Sequence, residues 1–197
     1  MMKHDDLDDA FEKLNRGIAL RESGDVHAAT KLFLEAGDAG LAQGYAELAD
    51  DAYKQGRRDE VERWTQRMEE LAALNKDDVA HMCCYLVYEF RMGTGPPEEQ
   101  KARAKYHLER GAELGNSTGQ ALLAGRYRSG NAGFTKDADL YEYWMSKAID
   151  QGNVDALCSY IERLMIDGHV VSPELRSKLA IAVESSQRAA DLLGQLS

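Results

Sequence analysis

The chain has 197 residues, of which 44% are hydrophobic and 29% are charged, a composition typical of water-soluble globular proteins. Its formal net charge of −10 argues against nucleic acid or an anionic membrane as the main partner, and it permits a protein partner with a basic surface. No stretch approaches the roughly 18 apolar residues of a transmembrane helix, and the acidic N-terminus does not resemble a secretory signal. Together with three cysteines that form no disulfide framework, these features predict a cytoplasmic protein.

The first two helical hairpins are predicted from apolar residues at helical spacing. In the first, a helix over residues 7–22 ends at Ser23-Gly24, and a second helix passes through residues 29–40. In the second, helices cover residues 44–53 and 61–74, and the later helix is about one turn longer than the repeat requires. The first hairpin is expected to be the least regular, because one face of a terminal repeat meets water.

The third hairpin contains the clearest loop of the chain. Asp77 or Asp78 is a suitable N-cap, and the helix that follows is predicted to run to Met92. The glycines and prolines of residues 93–97 interrupt it before a returning helix begins. The first helix of this hairpin is apolar on almost every side, which indicates either complete burial or an exposed binding patch.

Two further hairpins and a final helix complete the prediction. The fourth hairpin has helices over residues 117–129 and 136–151, and the first helix of the fifth lies within residues 153–168. Ser172-Pro173-Glu174 then supplies an N-cap, a proline at the first helical position and an early acid for the returning helix. Residues 187–196 are predicted to form a last helix that covers the open end of the array.

One spacing pattern recurs along the chain with a period of about 37 residues, which is typical of stacked helical hairpins. In the fourth hairpin, small and large residues follow one another at offsets of zero, four, five, eight and eleven: Gly119, Leu123, Ala124, Tyr127 and Gly130. The first four lie on one face of a helix, where small residues let a neighbouring helix approach closely. A single hairpin cannot bury this face alone, so the pattern predicts hairpins that stack around a shared core.

These residues resemble the Sel-one-like repeat, a relative of the tetratricopeptide repeat. The fourth hairpin is identical to the family pattern at Leu123, Tyr127, Gly130, Asp137, Trp144, Ala148 and Gly152. The resemblance covers residues 25–186 and is strongest over 78–168. It departs from the pattern at His107, which stands at a tryptophan position, and at Tyr141, which replaces an alanine. It implies an all-α, right-handed α/α superhelix of about five helix-turn-helix repeats.

The resemblance also implies one repeat domain over residues 1–197, with C-terminal capping helices over 172–197. In tetratricopeptide-like arrays the first helix of each hairpin lines a concave surface that binds other proteins. Mapping those positions by offset gives the expected partner-binding residues: Glu47, Asp50, Asp51, Met82, Leu86, Phe90, Arg126, Arg128, Glu162 and Arg163. An apolar strip of Met82, Leu86 and Phe90 would anchor the partner, and the acids and arginines on either side would set its orientation.

No motif of the sequence predicts catalysis. His81, Cys83 and Cys84 form the one cluster that invites a metal site, yet His81 and Cys83 point about 200° apart on a helix, and no second ligand pair has zinc-site spacing. His107 stands at a large aromatic position and is interpreted as a packed ring. We therefore expect no catalytic residue, no metal and no cofactor.

The sequence therefore predicts a non-enzymatic adaptor or scaffold that binds another protein. Two alternatives remain open at this point: a bacterial immunity protein that neutralises a toxin by stoichiometric binding, and a secretion-type chaperone. The sequence leaves the identity of the partner and the oligomeric state open.

Overall fold

The computed structural model describes residues 4–90 and 95–196, and it describes side chains from residue 7 onward. Within these ranges the chain forms eleven α-helices and no β-strand. The helices are α1 His4–Glu22, α2 Val26–Asp38, α3 Ala42–Lys54, α4 Arg58–Asn75, α5 Asp78–Glu89, α6 Pro97–Glu113, α7 Ser117–Ser129, α8 Ala138–Asp150, α9 Val154–Ile166, α10 Pro173–Ala182 and α11 Gln187–Gln195. The all-α prediction is confirmed.

Most helix starts are fixed by a polar side chain that accepts a hydrogen bond from a backbone N–H of the first turn. Such N-caps stabilise a helix by about 1 kcal/mol each. They are Asp25, Asp77, Asn116, Asp137, Asn153, Ser172 and Ser186. Of the two candidates at the start of α5, Asp77 is therefore the cap, and its carboxylate accepts from the N–H groups of Val79 and Ala80.

The helices form two compact units, Met1–Gly115 and Asn116–Ser197. In the first unit, α1 pairs with α2, α3 with α4, and α5 with α6, and α3 also packs on α2 and α5. The approach of α3 to α2 depends on Gly44, because a Cβ atom there would lie 2.4 Å from the carbonyl oxygen of Phe33. Phe33, Tyr45 and Met68 are fully buried in this unit.

In the second unit, α7 pairs with α8, α9 packs on α8 and α10, and α11 packs on both α9 and α10. Met145, Ile161, Leu179 and Leu192 belong to its buried core, and half-buried Tyr127 and Trp144 pack against that core. Leu123 of α7 is also buried. The Tyr127 ring makes an edge contact with the buried ring of Phe134, with the ring centroids 5.4 Å apart. The predicted core positions of the fourth hairpin are confirmed.

Most helices begin and end within about three residues of the predicted positions. α8 begins at Ala138 because the Asp137 cap fixes its start, two residues later than predicted. α5 ends at Glu89 with Phe90 as its C-cap, and the predicted continuation over residues 91–92 and the loop residues 93–94 lie outside the described residues. Searched over the described residues, no helix combines the length and hydropathy needed to cross a bilayer. A single domain over residues 1–197 stays a prediction.

Candidate functional site

The end of α5 carries two large apolar side chains that are exposed. Leu86 is 46% exposed and Phe90 is 66% exposed. Most of the helix is buried, including the consecutive residues from Ala80 to Tyr85. The helix that is apolar on every side thus combines both outcomes considered for it: it is buried along most of its length and exposes a patch at its end. We call Leu86 and Phe90 the α5 patch.

Met82 does not belong to this surface. It is only 8% exposed, and its sulfur would lie 2.9 Å from a Cβ atom built on Gly111 of α6. The absence of a side chain at Gly111 leaves the space that the thioether fills between the two helices. The expected apolar strip is therefore corrected: Met82 packs inside the α5–α6 hairpin, and only Leu86 and Phe90 of the strip are exposed.

The acids expected on α3 are already engaged with cations of the same unit. Arg21 of α1 places Nη1 2.6 Å from Glu47 Oε2 and 3.3 Å from Asp51 Oδ1. Asp50 pairs with Lys54 across one helical turn at 2.5 Å. Glu47 and Asp51 thus form an ordered ion-pair cluster with Arg21, a residue that the repeat pattern did not select because it lies in the irregular first hairpin.

In the second unit, two of the expected arginines line one groove. Arg128 and Arg163 border a groove of about 600 Å³ between α7, α8 and α9. Arg126 instead donates to the Asn131 side chain at 3.2 Å. We call this depression the tyrosine groove, because its other lining residues include Tyr127, Tyr141 and Tyr160.

Glu162, also on α9, is held by the C-terminal helix. Arg188 of α11 donates to its two carboxylate oxygens at 3.0 and 2.8 Å, and also to the Ser159 hydroxyl at 3.1 Å. The arginine holds the pKa of Glu162 below its usual range. Cys158 on the same helix is fully buried. This part of the expected binding surface is therefore engaged by the chain itself.

A polar cluster that the sequence did not predict lies between α4, α5 and α6. His81 and His107 are both buried, and their Nδ1 atoms are 2.9 Å apart. His107 Nε2 lies 3.4 Å from Glu69 Oε1, which also accepts the Tyr88 hydroxyl at 2.8 Å. Arg103 donates to the Tyr88 oxygen at 2.8 Å. Three helices thus contribute to one hydrogen-bonded network.

The protonation of this cluster follows from Glu69, since an ionised carboxylate only accepts hydrogen bonds. A neutral His107 that donates from Nε2 to Glu69 has its Nδ1 available to accept the Nδ1–H of His81. Burial is the largest cause that lowers the pKa of His81 to about 4, followed by electrostatic interactions with His107 and with the Arg110 guanidinium. The interpretation of His107 as a packed ring is confirmed, since it stacks on Tyr88 with centroids 5.7 Å apart.

The described residues offer little support for metal or thiol chemistry. No group of three or more His, Cys, Asp or Glu side chains among them is placed to hold a metal ion. The three cysteines are free and buried. Burial raises the pKa of Cys83 to about 12, so its nucleophilic thiolate form is scarce at neutral pH.

Comparison with solved structures reveals the same fold in other proteins. A Sel1 repeat protein from Oxalobacter formigenes matches with a TM-score of 0.60 and 23% identity, over 86% of this chain and 49% of that protein. A protective antigen present in uropathogenic Escherichia coli strains, which displays an SLR fold, matches with a TM-score of 0.57 and 20% identity, over 94% of this chain and 40% of the antigen. No family model and no curated protein matches the chain.

The chain thus spans less than half the length of either solved structure. Similarity at this level of identity establishes the fold, and the Sel1-like repeat architecture expected from the sequence is confirmed.

Proposed function

We propose that this chain is a non-enzymatic protein-interaction module, an adaptor or scaffold, that binds its partner through the α5 patch. The observation that carries the proposal is the exposure of Leu86 and Phe90 at the end of a helix that is buried along most of its length. Burying one such side chain in an interface contributes about 1.5–3 kcal/mol. Buried neighbours on the same helix hold both side chains on a rigid support, which reduces the entropy lost on binding.

The partner is proposed to have a basic surface, because a net charge of −10 attracts it over long range. Glu47 and Asp51 are already paired with Arg21, so they contribute mainly to this long-range field. Asp50 is the carboxylate most open to exchange, because its ion pair with Lys54 is exposed and lies within one turn of the same helix. The arginines of the second unit would orient the other part of the partner.

The cytoplasmic location belongs to the same proposal and is supported by three free cysteines. Neither the described residues nor the comparisons favour the toxin-neutralising or chaperone alternative.

A matched pair of variants tests this proposal. The partner is captured from a lysate of the source organism, identified by mass spectrometry, and purified for measurement of Kd by calorimetry. The double variant Leu86→Ser/Phe90→Ser should weaken binding by roughly 100-fold or more, because two apolar contacts are lost. The control is Leu74→Ser, which removes a side chain on α4 that is 78% exposed. Unchanged affinity of the double variant, or an equal loss in the control, would contradict the proposal.

A further inference from the structure

The tyrosine groove contains a buried hydroxyl group without a hydrogen-bond partner. Tyr141 of α8 is 8% exposed, and its hydroxyl oxygen makes no well-formed hydrogen bond with the described residues, although the Arg128 guanidinium is near enough to lower its pKa. Burial raises the pKa of this group, so it keeps its proton and can donate. A buried polar group left unpaired costs about 1–3 kcal/mol, and native proteins contain few of them. The hydroxyl is therefore an unused donor at the wall of the groove.

A cation lies next to this hydroxyl. The guanidinium of Arg128 is 5.9 Å from the centre of the Tyr141 ring, and Arg128 is exposed. Within the part of the chain that the structure describes, Arg128 makes no ion pair with a carboxylate. Lys136 lines the same groove. Two cations thus line the groove that also contains the Tyr141 hydroxyl.

The carboxylates that line the groove are already bonded to other groups. Asp137 caps α8 by accepting the Leu140 N–H at 2.9 Å. Glu142 accepts the Tyr160 hydroxyl at 2.7 Å. None of these bonds reaches the Tyr141 hydroxyl.

The third carboxylate of the groove, Asp167, pairs with Arg163 at 2.5 Å. The lining therefore contains three cations, Arg128, Lys136 and Arg163, balanced by three carboxylates, Asp137, Glu142 and Asp167. Such a balance tolerates one added negative charge more readily than two.

We propose that the tyrosine groove binds the side-chain carboxylate of an Asp or Glu residue presented by a protein partner, with the Tyr141 hydroxyl and the Arg128 guanidinium as donors. Both bonds would be charge-assisted, and an arginine can engage both oxygens of a carboxylate. Arg128 is exposed and lies over the Tyr141 ring, and the proposal requires that this side chain rotate to give the carboxylate access to the hydroxyl. The inference rests on the proposed role in protein binding and assigns one chemical group of the partner.

A titration with capped tripeptides tests the site without the natural partner. Acetyl-Ala-Glu-Ala-amide is added to the ¹⁵N-labelled full chain, and backbone amides and the arginine Nε–H signals are followed by NMR. The matched peptide contains Gln in place of Glu, and inorganic phosphate is a third ligand, all at constant ionic strength. We expect saturable shifts around Tyr141 with the Glu peptide, none with the Gln peptide, and weaker binding of phosphate.

Tyr141→Phe removes only the hydroxyl and should weaken binding of the Glu peptide roughly tenfold. Its midpoint of urea unfolding should stay equal to that of the wild type or rise, because an unpaired buried group is lost. Tyr143→Phe, on an exposed tyrosine of the same helix, is the control and should bind as the wild type does.

The proposal is overturned by absence of saturation with the Glu peptide, by equal binding of the Gln peptide or phosphate, or by unchanged affinity of Tyr141→Phe. Since none of these measurements involves the α5 patch or the natural partner, their failure is distinct from failure of the proposed function.

Discussion

At the scale of single residues, the buried histidine pair links protonation to folding. Burial, His107 and Arg110 together lower the pKa of His81 to about 4, while the charge of Asp78 opposes them. The folded state therefore binds fewer protons at this site than the unfolded state between about pH 4 and pH 6.5. Stability contributed by neutral His81 is complete above that window and is lost as the pH falls through it.

We predict that the free energy of unfolding of the wild type decreases by about 2 kcal/mol between pH 7 and pH 5 because of this histidine. Urea unfolding followed by circular dichroism at both pH values measures it. In His81→Gln most of this decrease should disappear, whereas His27→Gln, on an exposed histidine, should keep it. Equal pH dependence in all three proteins would show that His81 titrates normally.

Sequence reasoning found few of these residue-scale contacts. The environment of each key side chain is formed by other helices, as for Arg21, His81 and Tyr141. It therefore depends on how the hairpins pack. Tyr141 was visible only as a departure from the family pattern, and His81 only as a polar residue on an apolar helix. Neither signal specifies a partner, because a period of 3.6 residues defines a face of a helix and not what lies opposite it.

At the scale of helices, local chemistry accounts for most of the fold. The cap residues Asn116, Asp137 and Asn153 and the small residues between large ones act within one turn or one hairpin, so the sequence alone predicted α7 to the residue. The same local reasoning wrongly predicted that Met82 is exposed. Its offset matches the expected surface positions, but its side chain fills the space next to Gly111 on a different helix, which a pattern within one helix does not specify.

Close helix packing yields a prediction for Gly44. In Gly44→Ala the new Cβ atom would lie 2.4 Å from the Phe33 carbonyl oxygen, and the backbone of α2 must move. We expect a loss of about 1–3 kcal/mol in the free energy of unfolding, measured with urea. Gly125→Ala, within α7 and with no atom near the added Cβ, should instead gain up to about 1 kcal/mol from helix propensity. Equal effects would exclude a steric role for Gly44.

The contact of α11 with α9 yields a second prediction at this scale. Arg188→Ala removes both bonds to Glu162 and should increase amide hydrogen exchange within α11. The free energy of unfolding should fall by less than about 1 kcal/mol, because the ion pair is exposed. Arg176→Ala, which removes the bond of an exposed arginine of α10 to the Leu196 carbonyl, is the comparison. Unchanged exchange in Arg188→Ala would show that apolar packing alone holds α11 on α9.

At the scale of the whole molecule, the second unit has a core of its own, made by residues 124–192. We predict that residues 116–197 produced as a separate chain remain helical and unfold cooperatively. Circular dichroism during thermal unfolding measures this, with the full chain for reference. A gradual, non-cooperative loss of helix would show that this core is insufficient, as is common for short repeat segments.

The unpaired oxygen of Tyr141 has a consequence for natural variation. If packing alone governed position 141, phenylalanine would serve at least as well, since it fills the same volume and desolvates nothing polar. Homologues that keep an arginine at 128 should therefore keep tyrosine, and those that lose the arginine should drift toward phenylalanine. Covariation of these two positions among homologues would show that the Tyr141 hydroxyl is retained by selection for binding, although it lowers the stability of the folded chain.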